Sequence, residues 1–172
     1  MLISLDTAIS LANALIFSKL DYCNSLYYGL PKHFLLHLQK IQNALARAIT
    51  YTKRRKHISP LLKRLHWLPV EFRIQFKINL ITYKLLTDHE PIYLSSRISS
   101  RPCLHNIRSK SFHPLSQPYI NKTFTGGRSF SFASPHLWNH LPPHVRNAPS
   151  IMSFRRSLKT HLFSLAYSKS PH

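Results

Sequence analysis

The sequence predicts a mainly α protein: a helical bundle-like fragment with a long irregular segment and room for one or two short strands. Three observations predict it. Apolar residues recur at helical spacing through most of the first hundred residues and again near the C-terminal end. Breaks carrying Gly or Pro separate those windows. A chain of 172 residues that is 44% hydrophobic is long and apolar enough to bury a real core rather than stay disordered.

The elements follow in order. Leu5, Ala8, Ile9, Ala12, Leu15 and Ile16 line one side of a helix over 5–18, with Ser4 or Asp6 as its cap. Gly29-Leu30-Pro31 is a stop and restart. Leu38, Ile41, Leu45, Ala48 and Ile49 then form one face of a helix over 33–50, with Lys40 and Arg47 elsewhere on its surface, two turns apart. Thr52–His57 is a polar, basic connection. Ser59-Pro60 reads as an N-cap followed by proline at the first helical position, opening a short helix that ends near Trp67, before Pro69.

Val70–Leu80 is ambiguous by itself. Val70, Phe72, Ile74, Phe76, Ile78 and Leu80 alternate with polar residues, the pattern of a half-buried strand. The alternation fails at Ile81, and Phe72, Ile74, Phe76, Ile78, Ile81, Tyr83 and Leu85 form a broad helical face. The expectation is one helix over 70–87. Residues 99–133 lose periodicity and read as a loop-rich linker, with short strands expected around Leu115–Ile120 and Arg128–Phe132 and a turn at Gly126-Gly127. Ser134-Pro135 opens a short helix through Leu141, stopped by Pro142-Pro143. Residues 150–166 close the pattern as an amphipathic helix with Ile151, Phe154, Leu158, Leu162 and Leu165 on one side. This divides the chain into a helical region 1–98, the linker 99–133, a helical segment 134–168 and a tail 169–172.

Charge narrows the function. There are 24 Lys and Arg against five acids, a net charge of +19 with His neutral. Such a chain repels itself unless a polyanion or salt neutralises it, and nucleic acid is the leading polyanion. An anionic membrane surface or an acidic protein comes next. The sharpest cluster is Lys53-Arg54-Arg55-Lys56, where each cation can displace condensed counterions from a phosphate. It also fits a nuclear-localisation patch or a merely solvated loop. Lys63 with Arg64, and Arg155 and Arg156 with Lys159, are secondary nucleic-acid candidates; taken singly, each pattern fits a solvated helix face better. Trp67 and Trp138 sit among leucines beside proline and are expected in the core rather than stacked on bases.

Catalytic patterns are missing. The five acids, Asp6, Asp21, Glu71, Asp88 and Glu90, are nowhere adjacent, so no catalytic residue is assigned. Three glycines exclude the P-loop and dinucleotide fingerprints in their usual form. Twelve His include the i, i+4 pair His33 and His37 and the series His136, His140, His144, but Pro142 and Pro143 break the latter. Cys23 and Cys103 each lack a nearby Cys, so neither a structural zinc nor a disulfide framework is expected, and no cofactor. Two thiols point to the nucleus or cytoplasm. The apolar run Ala14–Phe17 is far too short to span a bilayer, and Met1–Phe17, without a basic start and carrying Asp6, reads poorly as a signal peptide.

Four blocks carry a family resemblance: Leu20–Asn24 (LDYCN), Leu38–Ala46 (LQKIQNALA), Leu65–Leu86 (LHWLPVEFRIQFKINLITYKLL) and Ser129–Phe163 (SFSFASPHLWNHLPPHVRNAPSIMSFRRSLKTHLF). In this order they resemble the tail of LINE-type, jockey-like non-LTR retrotransposon reverse transcriptases, from about Ser18 to about Tyr167. The resemblance implies a region after the polymerase palm that helps hold template and primer, with RNA or DNA as partner and an upstream polymerase domain in an intact parent. It also implies that residues 70–87 form one long helix. The aromatic-x-Asp-Asp turn of such enzymes is missing; in LDYCN, Cys23 and Asn24 follow Asp21-Tyr22 where acids would be needed. Two other origins fit the same residues: a degenerate transposon relic, or a host-recruited module that contacts protein or membrane.

Overall fold

A computed structural model describes residues 4–99, 114–119 and 126–168. The fold is mainly α, as the helical spacing predicts. Its contacts gather into two compact units, residues 1–74 with 163–172 and residues 75–162, so the boundaries fall inside two long helices rather than in a loop.

The first unit opens with α1 (Leu5–Ala12). Ser4 is the cap, its Oγ accepting the Thr7 N–H at 3.2 Å, and Asp6 lies in the first turn where the helix dipole favours it. A π turn (Asn13–Phe17) widens the helix before α2 (Ser18–Leu20), so the helical stretch runs slightly past the expected Ser18. Gly29, at φ 70°, makes the expected break in a conformation that glycine adopts without strain. Next comes α3 (Lys32–Ile49). Its buried stripe is Gln42, Ala46 and Ile49, with Leu45 packed beside it. Ile41 is 49% exposed and Ala48 is exposed, so the expected face is rotated. The cause is Gln42, a polar residue on the core side.

The short α4 (Ser59–Arg64) departs from its predicted start. Ser59 is already helical and makes no capping bond; Ile58 precedes the helix, and Pro60 occupies the second position. Leu65 caps the other end, two residues before the expected stop at Trp67. The core joins Ala12, Phe17, Ala46, Ile49, Leu62, Leu65 and Trp67, with Tyr167 packed against it. Phe17 meets Trp67 edge to face at 4.5 Å, and the Tyr167 hydroxyl donates to the Trp67 carbonyl at 2.5 Å. Gln42 donates to the Leu68 carbonyl at 2.8 Å, and Gln39 accepts the Val70 N–H at 2.9 Å. Gln39 thereby satisfies one of the N–H groups that a helix start leaves open.

Val70–Thr87 is helix α5, not a strand. Val70, Ile74, Ile78, Tyr83 and Leu85 are buried along it. Ile92–Ser95 forms a single helical turn, α6. In the second unit, Leu115 makes an isolated bridge, and 116–119 are not strand; Ile120 lies outside the described residues. The Asn139 side chain holds Leu115 by both backbone groups, at 2.8 and 2.9 Å. The strand expected at Arg128–Phe132 is instead the end of a 3-10 turn (Gly126–Arg128) and the start of α7 (Phe130–Asn139). Pro135 lies inside α7 rather than at its start, and α7 ends before Leu141. Pro142 is the N-cap of α8 (Pro143–Arg146), so this proline pair both stops one helix and starts the next.

Ile151–Ser168 forms α9, which buries Phe154, Leu158 and Leu162, while Leu165 is 48% exposed. Trp138 is fully buried, and both it and Tyr83 approach the Phe154 ring, at 5.8 and 4.3 Å. The two tryptophans are therefore core residues. The buried hydroxyls of Thr82 and Ser134 share a 2.7 Å hydrogen bond, and Tyr83 donates to the Ala148 carbonyl at 2.9 Å. No helix among the described residues is long and apolar enough to cross a membrane.

Candidate nucleic-acid interface

The basic cluster sits in a tight turn after α3. That helix ends in a motif that fixes where the chain leaves. The Thr52 N–H bonds to the Arg47 carbonyl at 3.0 Å, and the Tyr51 N–H to the Ala48 carbonyl at 3.4 Å. This pair of bonds returns the chain on itself and needs a left-handed residue just past the helix, a place where glycine prevails. Tyr51 fills it, at φ 50°. Thr50 Oγ1 donates to the Ala46 carbonyl at 2.7 Å and meets Thr52 Oγ1 at 2.9 Å, bracing both sides of Tyr51.

Lys53, Arg54, Arg55 and Lys56 follow as a turn closed by a 3.2 Å bond from the Lys56 N–H to the Lys53 carbonyl. All four side chains are exposed, and none pairs with a carboxylate among the described residues. Arg47 reaches out of α3 to the Lys56 carbonyl at 3.4 Å, which ties the far end of the turn to the helix. The turn is held at both ends, and its charge is left for a partner. Tyr51, beside it, is 72% exposed.

Lys63 and Arg64 lie exposed in the last turn of α4, where cations also complement the helix dipole. They share the first unit with the turn. Arg155, Arg156 and Lys159 are exposed on α9 within the second unit. Two neighbours of the cluster were hidden in the sequence. Arg47 reads there as one more surface cation, although a base in the last turn before a Lys-Arg run is a usable sign of an anchor. Tyr51 carries no sequence signal, because its left-handed backbone appears only in three dimensions.

The acids do not assemble. Asp21 is bound by Arg73, through an Nε–Oδ1 bond of 2.8 Å and a second Nη2–Oδ2 contact, and Arg73 lies 4.2 Å over the Phe17 ring. These contacts join the 21–24 segment to α5 and to the Phe17 ring. Among the described residues no group of three His, Cys, Asp or Glu could hold a metal ion. His136 and His140 do approach, with rings 4.6 Å apart. His140 Nδ1 meets the His136 carbonyl at 2.6 Å, and His136 Nδ1 meets the Gln117 amide at 3.3 Å. Burial, and next the neighbouring His140, lower the His136 pKa. Burial and then His144 do the same to His161. Cys23 is exposed; Cys103 lies outside the described residues. Comparison with protein-family models, curated proteins and solved structures finds no match.

Proposed function

We propose that this chain corresponds to the post-palm region of a LINE-type reverse transcriptase and that it holds RNA or DNA through phosphates without catalysing a reaction. The observation that carries the binding reading is the Lys53–Lys56 turn, with four consecutive exposed cations, no carboxylate partner among the described residues, and backbone ties at both ends. A preformed cationic turn loses little conformational freedom when phosphate binds. The family reading rests on the four sequence blocks. An upstream polymerase domain would supply the chemistry that five scattered acids do not.

The test is the salt dependence of binding to a short RNA and a DNA of the same length. Replacing Lys53, Arg54, Arg55 and Lys56 by Ala flattens the slope of log affinity against log salt by roughly 3 to 4 and weakens binding to all sequences alike. A control with Lys19, Lys32, Lys40 and Lys84 replaced has the same net charge and keeps most of the slope. Equal losses in both variants would reduce the turn to one part of a diffuse charge. In a primer-extension assay with either Mg²⁺ or Mn²⁺, the chain incorporates no nucleotide; template-dependent incorporation that survives repurification would sink the non-catalytic reading.

A further inference from the structure

We infer that Tyr51 is a base-stacking residue and that the surface around it takes an unpaired, base-bearing strand rather than a duplex. This rests on the phosphate-binding reading of Lys53–Lys56 and specifies its ligand. A lone exposed aromatic needs no explanation in general. Tyr51 shares a left-handed backbone with Cys23, His66 and His89, but of these four it alone adjoins the Lys53–Lys56 turn. It occupies the left-handed position that closes α3, at φ 50°, where a bulky residue is strained and glycine is not. The ring gains little in return from the protein, since 72% of the residue is exposed. A strained residue whose side chain is turned to solvent fits selection for an external contact better than selection for stability.

The surroundings name that contact. Lys53 is two residues away, and two residues of extended chain span at most about 7 Å. The ring and the first cation can thus address one base and a neighbouring phosphate. Aromatic side chains stack on the free faces of unpaired bases, and cations track the backbone alongside. A duplex offers those phosphates but no free base face except at its ends. Thr50 and Thr52 hold the backbone on either side, so the ring is presented from a fixed platform.

The experiment compares fluorescence anisotropy on three probes at one salt concentration: a single-stranded thymidine oligonucleotide, an abasic strand with the same number of phosphates, and a duplex. A uridine oligoribonucleotide serves as a fourth probe, and the tighter of the two base-bearing strands tells DNA from RNA. The wild-type chain binds the base-bearing strand about five-fold or more tighter than the abasic one. Tyr51→Phe keeps that preference. Tyr51→Ala and Tyr51→Gly bring the base-bearing strand down to the abasic affinity and leave abasic binding and its salt slope unchanged. Tyr51→Gly also suits the left-handed backbone, so its loss of binding is not a loss of fold; its thermal melt checks this. The inference is overturned if either variant keeps the preference, if Tyr51→Phe loses it, or if abasic binding falls in parallel. Equal wild-type binding to base-bearing and abasic strands overturns stacking but leaves the phosphate reading standing. A wild-type chain that binds neither removes both.

Discussion

At the scale of single residues, left-handed backbone is concentrated where helices end. Tyr51, His66 and His89 all have positive φ just past α3, α4 and α5, in a chain with three glycines. His66 repeats the α3 arrangement, with bonds from Trp67 N–H to Leu62 and from His66 N–H to Lys63. Each such residue costs roughly 1–2 kcal/mol relative to an unstrained backbone. Tyr51→Gly is therefore expected to stabilise the chain by about 0.5–1 kcal/mol after the extra entropy of glycine in the unfolded state is subtracted. His66→Gly gains less, because His66 also stacks on Phe163 at 5.7 Å. Urea denaturation of the two variants checks the ranking. Gln42 gives the opposite lesson. It is fully buried, and its amide is the partner of the Leu68 carbonyl. Gln42→Leu adds apolar surface to a core position yet costs about 1–3 kcal/mol, because that carbonyl is left without its donor. A Leu variant as stable as wild type would show that water replaces the amide.

At the scale of elements, α5 explains how a strand pattern can encode a helix. An alternation with step two contains residues with step four. Val70, Ile74 and Ile78 are such a subset, and they are buried, whereas Phe72, Phe76 and Leu80 are only half-buried. At 100° per residue the two subsets lie on opposite sides of the helix, so the full alternation describes one buried and one half-buried helical stripe and not the two sides of a strand. α7 shows the reverse error. A Ser-Pro pair is a good helix start, but Pro135 lies at the sixth position of a ten-residue helix. There it removes one i to i−4 bond, a cost set against the burial of Ala133, Ser134, Pro135 and Trp138. α9 supplies the aromatic centre of the second unit through Phe154, which is fully buried against Tyr83 and Trp138. Phe154→Ala is expected to cost about 3–5 kcal/mol. Loss of near-ultraviolet circular dichroism at lower denaturant concentration is the readout, and a loss below about 1 kcal/mol would mean that the rings repack.

At the scale of the whole molecule, charge and imidazole titration act together. A net charge of +19 means that screening relieves self-repulsion, so the melting temperature should rise from low salt to about 0.15 M. The pH dependence has a definite sign. Burial first, and a second imidazole next, lower the folded-state pKa of His136 and His161. As pH falls, the unfolded chain takes up these protons first, at about 6.5. The stabilisation is complete above that value and is lost as pH falls through the lower folded values. Melting temperature should therefore drop below about pH 6.5. A His136→Gln, His161→Gln double variant should drop less over the same range. If both drop equally, general charge repulsion accounts for the acid lability without these two histidines.

What the sequence determined by itself is what depends on local periodicity and composition. The helical windows, the break at Gly29-Leu30-Pro31, the burial of Trp67 and Trp138, and the exposed basic run all follow from residue type and spacing within a few turns. What only the tertiary structure decided depends on partners distant in the chain. Gln42 belongs to the core because its donor finds Leu68, which rotates the buried face of α3 away from Ile41. Leu115 is held at both backbone groups by the side chain of Asn139, 24 residues further along the chain. The basic turn becomes a presented surface because Arg47 reaches Lys56, and Tyr51 becomes its exposed neighbour because the close of α3 holds it left-handed. Long-range hydrogen bonds and a single backbone angle leave no periodic trace, so neither could be read until the chain was folded.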